Sequence, residues 1–160
     1  MITLAWIIGL VLLTLIFNNR LERQRNPNTG LASSRLDGEP GEVRLLRNRY
    51  GHYVASGRIN AQEVEFLLDT GASDVSIPAG LARRLGLKAG PAVPVHTANG
   101  TIEVHLTTVQ EIGLGPIVIH DVAAHINPHM GGGAALLGMS FLKHLDFTQR
   151  GDTLTLHQPR

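Results

Sequence analysis

The chain has 160 residues, no cysteine, and 14 Lys and Arg against 13 Asp and Glu, for a net charge of +1. That length allows one domain of ordinary size with appendages, and the near-neutral charge argues against a dedicated nucleic-acid-binding protein. The absence of cysteine excludes disulfides, thiol catalysis and cysteine-ligated zinc. With 18 Gly, 8 Pro and few aromatic residues, the composition favours a turn-rich, all-β domain with an aliphatic core.

The N-terminal segment, residues 2–17, is uncharged and has no polar face. Residues 1–19 therefore predict a transmembrane anchor, because about 20 apolar residues in a helix span a bilayer. A cleaved signal peptide is the alternative, but no basic residue precedes the apolar stretch and no small-x-small cleavage site follows it. Residues 20–42, which contain Asn, Pro, Gly and Ser clusters, predict a flexible tether, and residues 43–158 predict the folded domain.

Short strands are predicted along the whole domain. Runs over 53–59 and 63–68 flank Asn60-Ala61-Gln62 and predict a hairpin, and residues 81–86 predict a helical turn that ends at a glycine. Alternating residues on both sides of Asn99-Gly100 predict a second hairpin with this pair at its tip.

The second half of the domain also predicts short strands, together with a short helix. Residues 112–126 predict two strands, with breaks near Gly115-Pro116 and His120-Asp121. Residues 139–145 predict a short helix, and residues 153–156 predict a last strand. Many short strands with one or two helical turns predict a closed or nearly closed β-barrel.

The most informative motif is Asp69-Thr70-Gly71, which follows the apolar run Phe66-Leu67-Leu68 and precedes a second apolar stretch. This arrangement predicts a carboxylate held at a tight turn between two buried strands, where Gly71 lets the backbone approach closely. The alternative is an aspartate that only satisfies the amides of its own turn.

These residues resemble the retropepsin-like aspartic proteases of clan AA. Leu136-Leu137-Gly138, here called the late triplet, is similar to the apolar pair and glycine that pack against the Asp-Thr-Gly loop in that family. Residues 97–100 and 137–142 look closest to its bacterial membrane-anchored members. The resemblance implies an acid-protease barrel, no cofactor, and cleavage of extended polypeptide by a water molecule held between two carboxylates.

Site residues follow from the same resemblance. The catalytic triplet is Asp69, Thr70 and Gly71, and because one triplet is present, a homodimer with Asp69 from each chain is implied, with Thr70 bridging the two loops. The hairpin around residues 97–100 takes the position of a flap that closes over substrate. The implied substrate-binding residues are Ala72, Ser73, Asp74, Ala98, Asn99, Gly100, Leu137 and Gly138.

Retroviral members carry Asp and Arg, an ion pair, where this chain has Ser73 and Met139. Neutral packing in place of the pair is therefore expected. The predicted walls of the substrate groove are apolar and comprise Leu68, Val75, Ile77 and Leu137, with Ile102 and Val104 from the flap.

Location is predicted by two arguments that conflict. Arg20, Arg23 and Arg25 follow the apolar segment, so the positive-inside rule places the domain in the cytoplasm. The resemblance implies a bacterial inner-membrane protein with its domain in the periplasm, which is the expectation adopted here.

Two further functions are alternatives to proteolysis. A relative without catalytic activity would use the same fold as a dimerisation module, or would bind extended peptides as an added strand. A metal site is not expected, because the eight histidines are scattered and show no helical ligand pattern.

Overall fold

The fold is taken from a computed structural model that describes residues 2–32, 41–97 and 100–159. Within these residues the chain forms mainly strands, with three helices and one short 3₁₀ turn. The helices are α1 (Ile2–Arg25), α2 (Ala79–Arg84) and α3 (Met139–Leu142), and the 3₁₀ turn is Thr29–Ala32. The strands are β1 (Glu42–Leu46), β2 (Tyr53–Ile59), β3 (Gln62–Leu68), β4 (Val75–Pro78), β5 (Ala92–Thr97), β6 (Gly100–Leu114), β7 (Ile117–Asn127), β8 (Ala134–Leu137), β9 (Asp146–Arg150) and β10 (Thr153–His157).

The strands form two sheets. The larger has the order β2-β3-β8-β4-β7-β6-β5, and a further pairing of β2 with β6 joins strands that are distant in that order. The smaller sheet is antiparallel and has the order β1-β10-β9. Strand β8 lies between β3 and β4, so the segment that contains the late triplet meets the segment that contains Asp69.

Side chains from both sheets and both short helices form one core. Strand β10 shows how the sequence determines this, since its Thr-Leu-Thr-Leu alternation buries Leu154 and Leu156 and turns the threonines away. The largest fully buried side chains are aromatic or aliphatic, as the composition predicted, and include Phe66, Phe141, Leu45, Ile59, Ile77, Ile112 and Leu137.

The mostly β architecture with short helices agrees with the sequence-based prediction, and several boundaries agree closely. The hairpin of β2 and β3 turns at Asn60 and Ala61, whose positive φ angles of 46° and 66° suit a tight hairpin turn. The predicted break at Gly115-Pro116 is present, whereas the break at His120-Asp121 is wrong. Strand β7 continues through that point, although Asp121 has a φ of 53° and is not among the residues paired with β6.

Helix α1 is exposed at residues 6–18 and 20–25. Its apolar side chains from Trp6 to Phe17 are exposed, and Trp6 for example is 72% exposed. Among the described residues, no helix combines the length and the apolarity needed to cross a membrane. The transmembrane anchor predicted over residues 1–19 is not confirmed; helix α1 runs from Ile2 to Arg25.

Part of the predicted tether is attached to the domain. Asn28 is buried; its side-chain amide donates to the carbonyls of Leu46 (2.9 Å) and Val54 (2.7 Å), and its Oδ1 accepts from the Leu46 amide (2.8 Å). Asn26 is also buried and donates to Ser56. Residues 26–32 thus form a fixed connection between α1 and strands β1 and β2, and residues 33–40 lie outside the described ranges.

Asn28→Ala is expected to lower the free energy of unfolding by about 2–3 kcal/mol, because three hydrogen bonds disappear and buried backbone groups lose their partners. Chemical denaturation of the full chain in mild detergent measures the change. Asn18→Ala, at an exposed position of α1, is the matched control and should change the unfolding free energy by less than about 0.5 kcal/mol. Equal stabilities of the two variants would contradict the attachment.

Candidate active site

Asp69 follows the last residue of β3 and begins a short loop, residues 69–74, here called the Asp69 loop. Its Oδ1 accepts a hydrogen bond from the Gly71 amide at 2.8 Å, and its own amide donates to the Leu137 carbonyl at 3.1 Å. The Ala72 amide closes the turn by donating to the Asp69 carbonyl at 3.3 Å. The Gly71 amide thus holds the carboxylate and the late triplet holds the Asp69 backbone, while the side chain stays partly exposed.

The late triplet contacts the Asp69 loop through a crossed arrangement. Leu137 of β8 pairs with Leu68 of β3 in parallel, while Leu136 pairs with Ser76 of β4 in the antiparallel sense. Directly after the triplet, the Met139 amide donates to the Ala72 carbonyl at 2.8 Å. The late segment, residues 136–139, therefore contacts the strand before the loop, the loop itself and the strand after it.

Gly138 sits where no side chain fits. A Cβ built at this position would lie 2.3 Å from the Asp74 carbonyl oxygen and 2.8 Å from that of Ala72. Real Cβ atoms essentially never approach backbone so closely. Glycine is thus required here by contact with the Asp69 loop, and its φ of −93° is ordinary.

Ser140 also fixes the loop, and the sequence-based reasoning did not single it out. Its hydroxyl accepts from the Val75 amide at 3.0 Å and donates to the Ala123 carbonyl at 2.7 Å, while its amide donates to the Ser73 carbonyl at 2.8 Å. A buried serine at the start of a short helix, two residues after the glycine of the late triplet, is the signal that was available.

A cavity of about 360 Å³ opens beside Asp69. Apart from Asp69 and Thr70, the residues that line it come from β2, β3, α3 and the smaller sheet, and none of those in the smaller sheet was predicted to approach the site. They are Tyr53, Leu68, Leu142, Phe147, Gln149, Leu154 and Leu156.

The predicted groove walls are mostly wrong. Val75, Ile77, Leu137 and Val104 are buried, and strand β4, which carries Val75 and Ile77, is buried at all four positions. Leu68 does line the cavity. Apolar residues near the motif in sequence therefore hold the loop in place, and only some of them face the space beside it.

The hairpin predicted as a flap is formed by β5 and the first part of β6, with Thr97 paired to Gly100. Strand β6 pairs with β7 only from His105 onward, so residues 100–104 pair with β5 alone and extend beyond the rest of the sheet. Gly100 lies in the strand with a φ of 115°. Ala98 and Asn99, which complete the predicted tip, lie outside the described residues.

Charge near the loop is limited. Asp74 is half-buried and lies close to His125, whose pKa is lowered by burial and raised to a smaller extent by the Asp74 carboxylate. No group of three or more His, Asp or Glu side chains that could hold a metal ion occurs in the described ranges. Asp69 and Asp74 are thus both half-buried carboxylates of the loop, and of the two only Asp69 lines the cavity.

A family model described as "gag-polyprotein putative aspartyl protease" matches residues 55–144, which include the Asp69 loop and the late triplet. The chain belongs to this aspartyl protease family. A crystal structure of a retropepsin-like aspartic protease from Rickettsia conorii superposes with a TM-score of 0.62 at 27% identity, and the match covers 74% of this chain and 90% of that one. The retropepsin-like fold expected from the sequence is thereby confirmed.

Two curated relatives are also similar. An uncharacterized protein encoded in the cobV 5' region of a Sinorhizobium species is 32% identical over 144 residues, which is 88% of this chain and 61% of that protein. The uncharacterized protein RP867 of Rickettsia prowazekii (strain Madrid E) is 30% identical over 113 residues, which is 66% of this chain and 46% of that protein. The chain thus spans about half of the second relative and three fifths of the first.

Ser73 and Met139 are the neutral residues of this chain at the position of the retroviral ion pair. Their backbones lie next to each other, since the Met139 amide donates to Ala72 and the Ser140 amide donates to Ser73, both at 2.8 Å. Two main-chain hydrogen bonds therefore connect the segments at the position where the retroviral resemblance implied an ion pair. Neutral side chains are compatible with this contact.

Proposed function

We propose that this protein is an aspartic endopeptidase that hydrolyses peptide bonds in extended polypeptide. The observation that carries the proposal is the geometry of Asp69, a partly exposed carboxylate held in a rigid turn at the edge of a cavity, in a chain of the aspartyl protease family. Thr70 is exposed beside it, and its hydroxyl has no hydrogen bond within the described ranges.

One Asp69 is not enough for the chemistry. An aspartic protease uses two carboxylates that share one proton, because like charges about 3 Å apart cannot both ionise. The ionised carboxylate accepts a proton from the water that attacks the scissile carbonyl, and the protonated one donates to the carbonyl oxygen. We therefore propose a homodimer in which each chain supplies one Asp69, with the Thr70 hydroxyls bridging the two loops.

Substrate would bind beside the Asp69 loops as an extended strand. The hairpin of β5 and β6 extends past its neighbouring strand, so its backbone groups are placed to pair with such a peptide. We propose that Ala72, Ser73, Asp74, Ala98, Asn99 and Gly100 contribute to binding. Leu137 and Gly138 act as supports of the loop, because both are buried.

We further propose that α1 holds the protein at a membrane, with the domain on the periplasmic side of a bacterial inner membrane. Support comes from the apolar side chains that α1 exposes, such as Trp6 and Phe17, which water would contact unfavourably. Cell fractionation measures this: removal of residues 1–19 should release the protein from the membrane fraction, and an unchanged distribution would contradict the proposal.

The protease proposal is tested by digestion of a peptide library with the full chain at a series of protein concentrations and pH values. Specific activity should fall on dilution below the dimer dissociation constant, since each site needs two chains. The pH profile should be bell-shaped, because the dyad works only when it carries one proton. Absence of cleavage at every pH by a folded, dimeric protein would instead indicate a module without catalytic activity.

A further inference from the structure

Helix α1 changes from apolar to polar along its length without a break. Residues 6–17 are predominantly apolar and exposed at every position, whereas residues 18–25 contain Asn, Arg, Glu and Gln. The helix runs through both parts and ends at Arg25, and the Asn26 amide still donates to the Glu22 carbonyl at 2.8 Å. The polar part is therefore a helical rod about 12 Å long, and not a flexible linker.

The end of this rod is attached to two segments of the domain. The Arg25 guanidinium forms an ion pair with Glu65 of β3 at 2.7 Å, and the Arg25 carbonyl accepts from the Asn48 side chain at 2.9 Å. The Arg49 guanidinium donates to the Gln24 side chain at 2.8 Å. Because β3 and the loop between β1 and β2 both hold the last turn, they fix the direction of α1 as well as the position of its end.

The residues that follow α1 continue the attachment. The buried Asn26 side chain donates to Ser56 and to Glu65, both at 3.3 Å, and Asn28 bonds to β1 and β2. A buried amide that moves away from its partners leaves polar groups unpaired, which costs free energy. The connection between α1 and the domain is therefore rigid, unlike the flexible tether that the sequence predicted.

This rigid connection limits the distance between Asp69 and the apolar part of α1. Asp69 lies about 13 Å from Glu65 along β3. The polar part of α1 and the two paired side chains, Arg25 and Glu65, add the rest of the path. Asp69 therefore lies no more than about 40 Å from Phe17.

We infer that the substrates are polypeptides held in the same membrane as α1, cut at a set height of no more than about 40 Å above its surface. This inference rests on the proposed membrane-held aspartic endopeptidase and names its substrate class. A polypeptide in the same membrane stays close to the Asp69 loop, which raises its effective concentration at the site. A peptide that diffuses freely gains nothing from the rigid connection.

The proposed homodimer is compatible with this arrangement. When both α1 helices lie in one membrane and both connections are rigid, the two-fold axis must stand along the membrane normal. The two Asp69 carboxylates then lie at the same height, so the shared site has a single distance from the membrane.

The first test varies the spacing in the substrate. The full chain is placed in vesicles of phosphatidylethanolamine and phosphatidylglycerol with model substrates, each an apolar helix, a Gly and Ser spacer and one cleavable peptide. The shortest spacer that is cut should be no longer than about 12 residues, which cover about 40 Å when extended. The same peptide without its apolar helix is the control and should be cut at least about 10-fold more slowly at equal concentration.

The second test lengthens the polar part of α1. About seven helix-forming residues inserted after Asn19 add about 10 Å and nearly preserve the helix faces, because they make about two turns. The shortest spacer that is cut should then become about three residues longer. The same residues added before Ile2 are the matched control and should leave it unchanged. An equally long Gly and Ser insertion after Asn19 should not lengthen it, because a flexible insertion lets the domain approach the membrane.

The outcomes separate this inference from the proposed function. A spacer shift with the helical insertion, together with faster cleavage of the membrane-held peptide, supports the inference. Equal cleavage of free and membrane-held peptide, or no shift with the helical insertion, overturns the inference and leaves the protease standing. Failure of the full chain to associate with the vesicles overturns it in the same way. Absence of cleavage of both substrates by a folded, dimeric protein overturns the proposed function and the inference with it.

Discussion

Asp69→Asn is expected to reduce peptide-bond cleavage by about 10²- to 10⁴-fold, to the background of the assay, while the domain stays folded. Asparagine has the shape of aspartate and its Oδ1 can still accept the 2.8 Å hydrogen bond from the Gly71 amide. What it lacks is the charge that accepts a proton from water and the proton that aspartic acid donates. The variant should therefore lose peptide-bond cleavage and keep its stability.

The measurement compares initial cleavage rates and unfolding midpoints of the variant and the unchanged chain. Asp121→Asn is the control, because Asp121 is exposed in β7 with a positive φ that asparagine tolerates. It should retain full activity and stability. Undiminished cleavage by a folded Asp69→Asn protein would refute Asp69 as the catalytic carboxylate.

Gly138→Ala is expected to lower the free energy of unfolding by about 3 kcal/mol and to remove activity as well. The added Cβ would overlap the carbonyl oxygens of Asp74 and Ala72, at 2.3 and 2.8 Å, so the Asp69 loop would have to move. Both contacts are backbone atoms, which cannot rotate away as the end of a flexible side chain can. The loop that holds the carboxylate is thus the part most disturbed.

Denaturant titration measures the stability change, and cleavage assays under folding conditions measure the activity. Gly133→Ala is the matched control, since a Cβ there has no heavy atom within 4 Å and its φ lies outside the left-handed region. It should be nearly neutral in both assays. A Gly138→Ala protein as stable as the Gly133→Ala protein would show that the close contact between the late triplet and the loop is not formed.

Local patterns in the sequence predicted most of the strands. The hairpin of β2 and β3, the glycine-terminated helix α2 and the alternating strand β10 follow from turn residues and period-two alternation, which are properties of neighbouring residues. Strand β9 was not predicted, because Asp-Phe-Thr-Gln-Arg has no buried face and its strand conformation depends on pairing with β10.

The candidate site also has one part that the sequence predicted and one part that only the packing of distant residues reveals. Asp69-Thr70-Gly71 and the late triplet were evident because their spacing and flanks resemble a known family, and the aspartyl protease family match confirms that resemblance. Tyr53, Phe147 and Gln149 were not evident as neighbours of Asp69, because only the packing of the smaller sheet brings them to the cavity. Ser140 was missed because its bonds reach residues 75 and 123, which are distant in the chain.

The sequence by itself determined the family, the mostly β fold and the position of Asp69, because turn chemistry, alternation and a short motif are encoded in adjacent residues. It also determined that α1 is apolar, but not how that helix ends or that residues 26–32 attach to the domain. Tertiary structure decided that Val75, Ile77 and Leu137 support the loop from the core, and that β9, at the end of the smaller sheet, lines the same cavity as Asp69. The physical reason is that burial and edge exposure depend on which distant strands pair, and that pairing minimises the free energy of the whole chain.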